Sequence, residues 1–291
     1  MTLNRRLFAL TLLLCTFQLS AQFGGTCDVS VLKERLKSST TYIVLTGDEK
    51  FDDNLAKGFE HFWNLTEYEF VASESEFDQA DQSNSYLVPT TMTVSDQYST
   101  QHYNRYSLLI GGTENVFYRT AADIILDNFG YEKYITEAAY RAYGIPKLLQ
   151  DFIQMRLDGE PISGGTVTRI RYTAGQVYNK KSNKIVSKTL LVDERFLKSG
   201  PYFPKLRKTQ FDKEVFKALY TGKVKFVSTE ELETAINEND PAYCYMLQVN
   251  SRKKYLFVID CESGSLWYNG YETGGIGITK KDVKTLKKAV F

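Results

Sequence analysis

Histidine is almost missing from this 291-residue chain, which has only His61 and His102. Neither has a Cys, His or carboxylate at ligand spacing, so the common zinc-site patterns are excluded. No G-x-S-x-G elbow occurs, and no P-loop with its lysine. A Ser-His-Asp set drawn from distant residues stays open, because triad members are not neighbours in sequence. His61, between Phe59 and Trp63, reads as a helix-surface or packing residue, and His102 as part of a solvated loop. Cysteine is scarce too: Cys15, Cys27, Cys244 and Cys261 make up the whole set. That is too few for a disulfide scaffold, so a packed core must carry stability. Excess charge of one sign is lacking, since 36 Lys and Arg against 35 Asp and Glu leave a net +1. Such a balance gives no strong field to draw nucleic acid or an anionic membrane. After the N-terminus, no apolar run approaches the ~20 residues that cross a bilayer.

The N-terminus is different. Asn4-Arg5-Arg6 precedes an apolar run from Leu7 to Phe17, and Leu19-Ser20-Ala21 follows. A basic stretch, an apolar stretch too short to span and a small-residue site make a secretory signal peptide over residues 1–21. The expected cut lies between Ala21 and Gln22. Leu14 before Cys15 is not small, which argues against a lipid anchor. The Ser-Ala-Gln junction resembles exports of the Bacteroidota type. Loss of Arg5 and Arg6 takes the basic count from 36 to 34, against 35 acids, a net of −1. The protein is expected in the periplasm, with the cell surface or the medium as alternatives. About 270 residues remain, enough for one large or two ordinary domains.

An internal repeat organises them. Strand runs Thr41–Leu45 and Lys188–Val192 open two halves, and each is followed by a Phe-Asp pair and a helical stripe. The first stripe is Leu55, Phe59 and Phe62 after Phe51-Asp52. The second is Val215, Ala218 and Leu219 after Phe211-Asp212. Second strands, Tyr68–Val71 and Val224–Val227, lead into the acidic starts Ser73–Phe77 and Ser228–Leu232, where a Ser or Thr cap stands before Glu. Then come strands Ser85–Val88 and Tyr106–Ile110, matched by Cys244–Leu247 and Tyr255–Ile259. The aromatic pairs Phe117-Tyr118 and Trp267-Tyr268 follow. The closing helices run from Pro146 to Leu157 and from Thr279 to Val290. Residues 119–145 add further helix to the first half. The fold class expected is α/β (or α+β), with two tandem, related β-α-β-α-β-β-β-α domains and mixed sheets. The divisions are a signal at 1–21, a first domain at 22–160, a linker or hairpin at 161–187 and a second domain at 188–291.

The second half resembles the small α/β domains of the TolB N-terminal and CsgG type. The strand Ala242–Val249, the turn Asn250–Lys253 and the strand ending Val258-Ile259-Asp260-Cys261-Glu262-Ser263-Gly264-Ser265-Leu266 carry the resemblance. It covers about a third of the chain and implies an envelope adaptor or assembly module.

Chemistry-bearing residues have bland readings beside sharp ones. Glu at 74–76 and 230–233 fits acid/base pairs less well than first helical turns, where the macrodipole favours acids. Gly111-Gly112-Thr113 is phosphate-loop-like but lacks the lysine, and an ordinary turn is favoured. Asp78, Asp81 and Asn84 do not follow calcium-loop spacing. Lys280, Lys281, Lys284, Lys287 and Lys288 form a solvated face opposite Val283, Leu286 and Val290. Cys244 and Cys261 are the candidate disulfide. If Asn250 pairs with Tyr255, they lie opposite each other, near bridging distance. A slip of one residue puts them on opposite faces. Two unpaired thiols, or a bridge to Cys27, are the alternatives.

The functional expectation is an exported, non-catalytic envelope binding or adaptor protein, with 20 tyrosines suited to interfaces. It has an envelope protein partner and no nucleic acid, metal or cofactor. The alternative is a small-ligand-binding or hydrolytic protein with its site in the cleft between the halves. Expression in a Gram-negative host, followed by N-terminal sequencing of the exported protein, is expected to give Gln22 as the first residue. A product that retains Met1 contradicts the signal assignment.

Overall fold

The computed structural model describes residues 23–24, 27–78, 80–95, 100–112, 120–128, 139–159, 179–197, 212–250, 253–273 and 278–291. The Ala21–Gln22 junction, Cys15, Phe117-Tyr118 and most of the linker or hairpin at 161–187 lie outside the described residues.

β1 (Phe23–Gly24), β2 (Thr40–Val44), β3 (Glu67–Val71), β4 (Asn84–Ser95), β5 (Thr100–Ile110) and β6 (Thr120–Asn128) build one sheet, in the order β1-β6-β5-β4-β2-β3. β7 (Thr189–Asp193), β8 (Val224–Val227), β9 (Tyr243–Asn250), β10 (Lys253–Asp260) and β11 (Leu266–Thr273) build a second, in the order β11-β10-β9-β7-β8. β2 runs parallel to both β3 and β4, while β4–β5 and β5–β6 are antiparallel. β7 likewise runs parallel to β8 and β9, with β9–β10 and β10–β11 antiparallel. With helices between and beside them, these are the two mixed sheets of an α/β (or α+β) fold.

The helices are α1 (Val29–Arg35), α2 (Glu49–Phe62), α3 (Arg141–Leu157), α4 (Lys213–Leu219), α5 (Thr229–Asn237) and α6 (Lys280–Val290). Their starts follow from capping. The Asp48 carboxylate accepts from the Phe51 amide at 3.0 Å. Ser228 with Glu231, and Thr279 with Asp282, close reciprocal capping boxes. Each cap contributes about 1 kcal/mol. The Ser73–Glu76 box nucleates only a short 3-10 turn at Glu74–Glu76.

Three expectations are corrected. Thr120–Asn128 is strand, not added helix, because β5 and β1 supply ladder partners on its two sides. α3 begins at Arg141, five residues before Pro146. A proline favours the first helical turn, but Ala142, Tyr143 and Ile145 are buried there and tertiary burial extends the helix past it. His102 lies in β5 opposite Thr93, not in a loop. The Phe-Asp pairs also differ in place. Asp212 caps α4, whereas Asp52 sits inside α2 and accepts from the Thr46 and Gly47 amides, each at 2.9 Å.

The layers stack. α2 and α3 pack on one face of the first sheet, against Ile43, Leu87, Leu108 and Ile110. The same core takes in Tyr245, Leu247, Val249, Phe257 and Ile259 from the second sheet, so α3 is sandwiched between the sheets. The far face of the second sheet, with Leu190, Val192, Met246 and Val258, is covered by α4 and α6. α3 is accordingly buried on most of its circumference, and α6 keeps its lysines on the outside. A buried ion pair between Lys254 of β10 and Asp282 ties the start of α6 to the sheet.

The cysteines are free thiols, and all three are buried. Asn250 pairs with Lys254, so Cys244 stands opposite Asp260, one residue from the register that a bridge to Cys261 needs. The slip puts Cys244 in the outer core and Cys261 in the inner one.

Gly58 marks the closest approach of α2 to α3. A Cβ there would lie 2.2 Å from the carbonyl oxygen of Tyr143. Helix propensity alone makes Gly58→Ala stabilising by up to about 1 kcal/mol. The packing predicts the opposite sign, a loss of more than 1 kcal/mol by urea denaturation, because backbone must move.

Candidate functional site

β7 is the middle of the parallel trio β8-β7-β9. The chain leaves β7 for α4 on the outer face, and leaves β8 for α5, whose Leu232 and Ile236 enter the inner core. Adjacent parallel strands that feed helices to opposite faces open a crevice at their carboxyl ends, the usual ligand position in open α/β sheets. Asp193, fully buried, ends β7 at this point. Its carboxylate accepts from the Arg195 amide at 2.9 Å and pairs with the Arg195 guanidinium, Nη2 to Oδ2 at 2.7 Å. Thr229, at the start of α5, donates its hydroxyl to Oδ2 at 3.2 Å.

α3 brings the first half to the same place. Its N-terminal Tyr140 and Arg141 are 1% and 7% exposed. Arg141 Nη2 donates to the Gln248 carbonyl of β9 at 3.1 Å, and the guanidinium carbon lies 5.7 Å from the centre of the Phe196 ring. Among the described residues, Arg141 Nε and Nη1 and the Tyr140 hydroxyl have no well-formed hydrogen bond, although the Tyr140 oxygen lies close enough to the Arg141 guanidinium to feel it. Burial pushes the Tyr140 phenol up to about 12; Asp193 adds to the rise, while Arg141 and Arg195 oppose it. The phenol is therefore a neutral donor across the physiological range.

Asp193 is fully engaged by Arg195 and Thr229, so it is no free base. Arg141 is the opposite case: a buried cation with two donors to spare. An uncompensated buried charge costs several kcal/mol, and the planar guanidinium matches carboxylate or phosphate oxygens two at a time. The two halves thus meet around a cationic, donor-rich point.

A second polar cluster closes the turn after β10. Lys188 Nζ reaches Asp260 at 2.5 Å and Glu262 at 3.1 Å, over the Trp267 ring at 5.3 Å. Ser263 donates its hydroxyl and amide to the other Asp260 oxygen, at 2.6 and 3.1 Å. Here every charge is matched, which suits a fastened turn.

The sequence-selected residues do not converge. His61 is exposed at the end of α2, with its ring 4.5 Å edge-on to Phe62. Asp78 and Asp81 use their carboxylates on turn donors, the Ala80 and Ser83 amides at 2.9 and 2.8 Å. Gly111 is pressed on the chain at Asp81, where a Cβ would meet a carbonyl oxygen at 1.9 Å, and no room is left for a phosphate. Glu231 caps α5. Cys244 and Cys261 contribute buried thiols to two cores, burial pushing Cys244 up to about 12 and Cys261 higher still. Arg141 escapes sequence reasoning because no motif surrounds it. The one available signal was an arginine directly before the apolar run Ala142–Pro146.

Comparison with protein-family models, with curated proteins and with solved structures finds no match.

Tyr106, Tyr140, Tyr220 and Tyr245 all have hydroxyls raised by burial. Their folded pKa lies above the unfolded value of about 10, so the unfolded chain loses these protons first. The stability they lend is complete below pH ~10 and falls as pH rises toward 12 and beyond. Absorbance at 295 nm is expected to show exposed tyrosines titrating reversibly, and the buried group only with cooperative alkaline unfolding.

Proposed function

We propose that this chain is an exported, non-catalytic binding protein of the cell envelope, and that the Arg141 site takes an acidic group of its ligand. The single observation that carries the reading is the Arg141 guanidinium, 93% buried with two unpaired donors, at the meeting point of the two halves. A carboxylate or phosphate supplies the missing charge and the missing acceptors together. Tyr140 adds a neutral donor beside it. The basic n-region and the Ala21–Gln22 junction support export. The resemblance of the second half to envelope adaptor domains supports the compartment. The common strand order and senses of the two sheets support an origin by duplication, with the ligand site in the cleft between the copies.

The small-ligand form of the alternative gains from the same site, since a buried cation suits a small anion that can be enclosed. Its hydrolytic form gains nothing: Asp193 and Asp260 are each held by a cation.

Thermal unfolding in anion-free buffer, and then with phosphate, citrate or acetate at about 10 mM, tests the reading. At 100 times Kd, binding contributes about 2.7 kcal/mol, a rise of several degrees in Tm. The wild type is expected to gain this with at least one of these anions and Arg141→Met to gain none. Without anion, Arg141→Met is expected to be at least as stable as the wild type, because an apolar side chain replaces an unmatched buried charge. No anion-dependent gain in the wild type, together with marked loss of stability in Arg141→Met, makes Arg141 a purely structural residue and overturns the proposal.

A further inference from the structure

The near-neutral total hides a strong separation of charge. Residues 22–160 hold 11 Lys and Arg against 22 Asp and Glu, a net of −11. Residues 161–291 hold 23 against 13, a net of +10. Between Lys57 and Arg105 the chain has no cation at all.

The layering turns this into two poles. At one end is the face of the first sheet that points away from α3. Tyr42, Tyr86, Val88 and Leu109 line it, and Phe77 stacks on Tyr86 at 4.4 Å and on Tyr42 at 5.6 Å. The acidic 73–81 segment is thereby pinned over this face. Glu67 and Glu69, on edge strand β3, are exposed in register with Thr40 and Tyr42. At the other end is the outer helix layer, where Lys280, Lys284 and Lys288 of α6 are exposed and make no ion pair among the described residues. Lys180, Lys181 and Lys184 stand beside the end of α6, where Ser182 donates to the Ala289 carbonyl at 2.5 Å.

The interior of the molecule already shows the matching geometry. The inner face of the second sheet receives the helix layer α2 and α3 of the unit before it. The first sheet repeats the strand order and senses of the second, and its outer face carries no helix layer among the described residues. The helix layer α4 and α6 has no second sheet on its outer side among the described residues. We infer that the acidic pole of one copy docks on the lysine pole of another, so that the chain associates head to tail. The internal junction is apolar and permanent. The external one joins charged surfaces, so it is reversible and sensitive to salt. Such a contact is heterologous, with different patches on the two partners, and it grows into open chains unless a rotation closes a ring. The attraction acts across solvent, where about 0.1 M salt screens charges more than ~10 Å apart. The inference is independent of the Arg141 site, which lies between the halves and not at either pole.

Sedimentation velocity at several protein concentrations tests it, on the mature chain, at about 20 mM and about 500 mM salt. The expected result is growth beyond the monomer at low salt, reversed at high salt. Glu67→Lys with Glu69→Lys, and separately Lys284→Glu with Lys288→Glu, are each expected to weaken self-association at least tenfold. These positions are exposed, and circular dichroism checks that both variants fold. Mixing the two variants is expected to restore assembly, because the reversed poles complement each other. A wild type that stays monomeric at low salt overturns the inference, as does assembly indifferent to both reversals. A monomer that binds anionic vesicles through the lysine pole overturns it too, and reassigns that face to a lipid surface.

Discussion

Burial of α3 on two sides is the interaction on which the other parts of the molecule depend. One flank lies on the first sheet and α2, the other on the second sheet and α5, so 12 of its 17 residues are buried. That burial explains why Gly144 and Pro146, poor residues for a helix interior, are tolerated there. It also explains the close approach at Gly58, which lets α2 lie against α3. That burial takes in polar side chains at Gln150 and Arg156, and again at the N-terminal end. Arg141 keeps a charge there at the carboxyl edge of β9, and a violated packing rule without local compensation is the mark of a site.

Much of the architecture was legible in the residues. β-branched and aromatic runs mark eight of the described strands, although β4 and β5 extend six or seven residues beyond the runs that announce them, and Ser228, Thr279 and Asp212 announce helix starts. Physical ambiguity defeated the rest. Thr120–Asn128 contains Ala-Ala and Ile-Ile-Leu, a short apolar run that fits helix or strand equally well, and only the partners on either side decide. The cysteine register turned on a hairpin one residue shorter than supposed, and in a sheet one residue exchanges the faces. Arg141 could not be found, because its meaning lies in Gln248 and Phe196, far away in sequence.

Charge illustrates a different kind of blindness. A sum near zero excludes a uniformly basic or acidic surface, yet it says nothing about how the signs are distributed. The separation was fully present in the sequence and vanished only on addition. The ion pair between the halves runs against that separation, since Lys50 of the acidic half meets Glu233 of the basic one at 2.7 Å. The contrast between α3 and α6 lies in their cover: α3, covered on two sides, holds one lysine, Lys147, paired with Asp151 at 2.6 Å, whereas α6, covered on one side, holds five.

Chain order gives the α3 sandwich a consequence in time. Synthesis delivers α3 long before β9 and β10, and the Arg141 contact to Gln248 closes a loop of 107 residues. Asn54 waits still longer for Glu233, 179 residues away. Until then, one flank of an apolar helix has no cover. The first half therefore cannot reach its final packing as it emerges, and contacts of such long range are formed slowly. A molecule built this way spends its early life with a sticky flank, which is where a holdase would find it, and the last hundred residues act as the lid that ends the exposure.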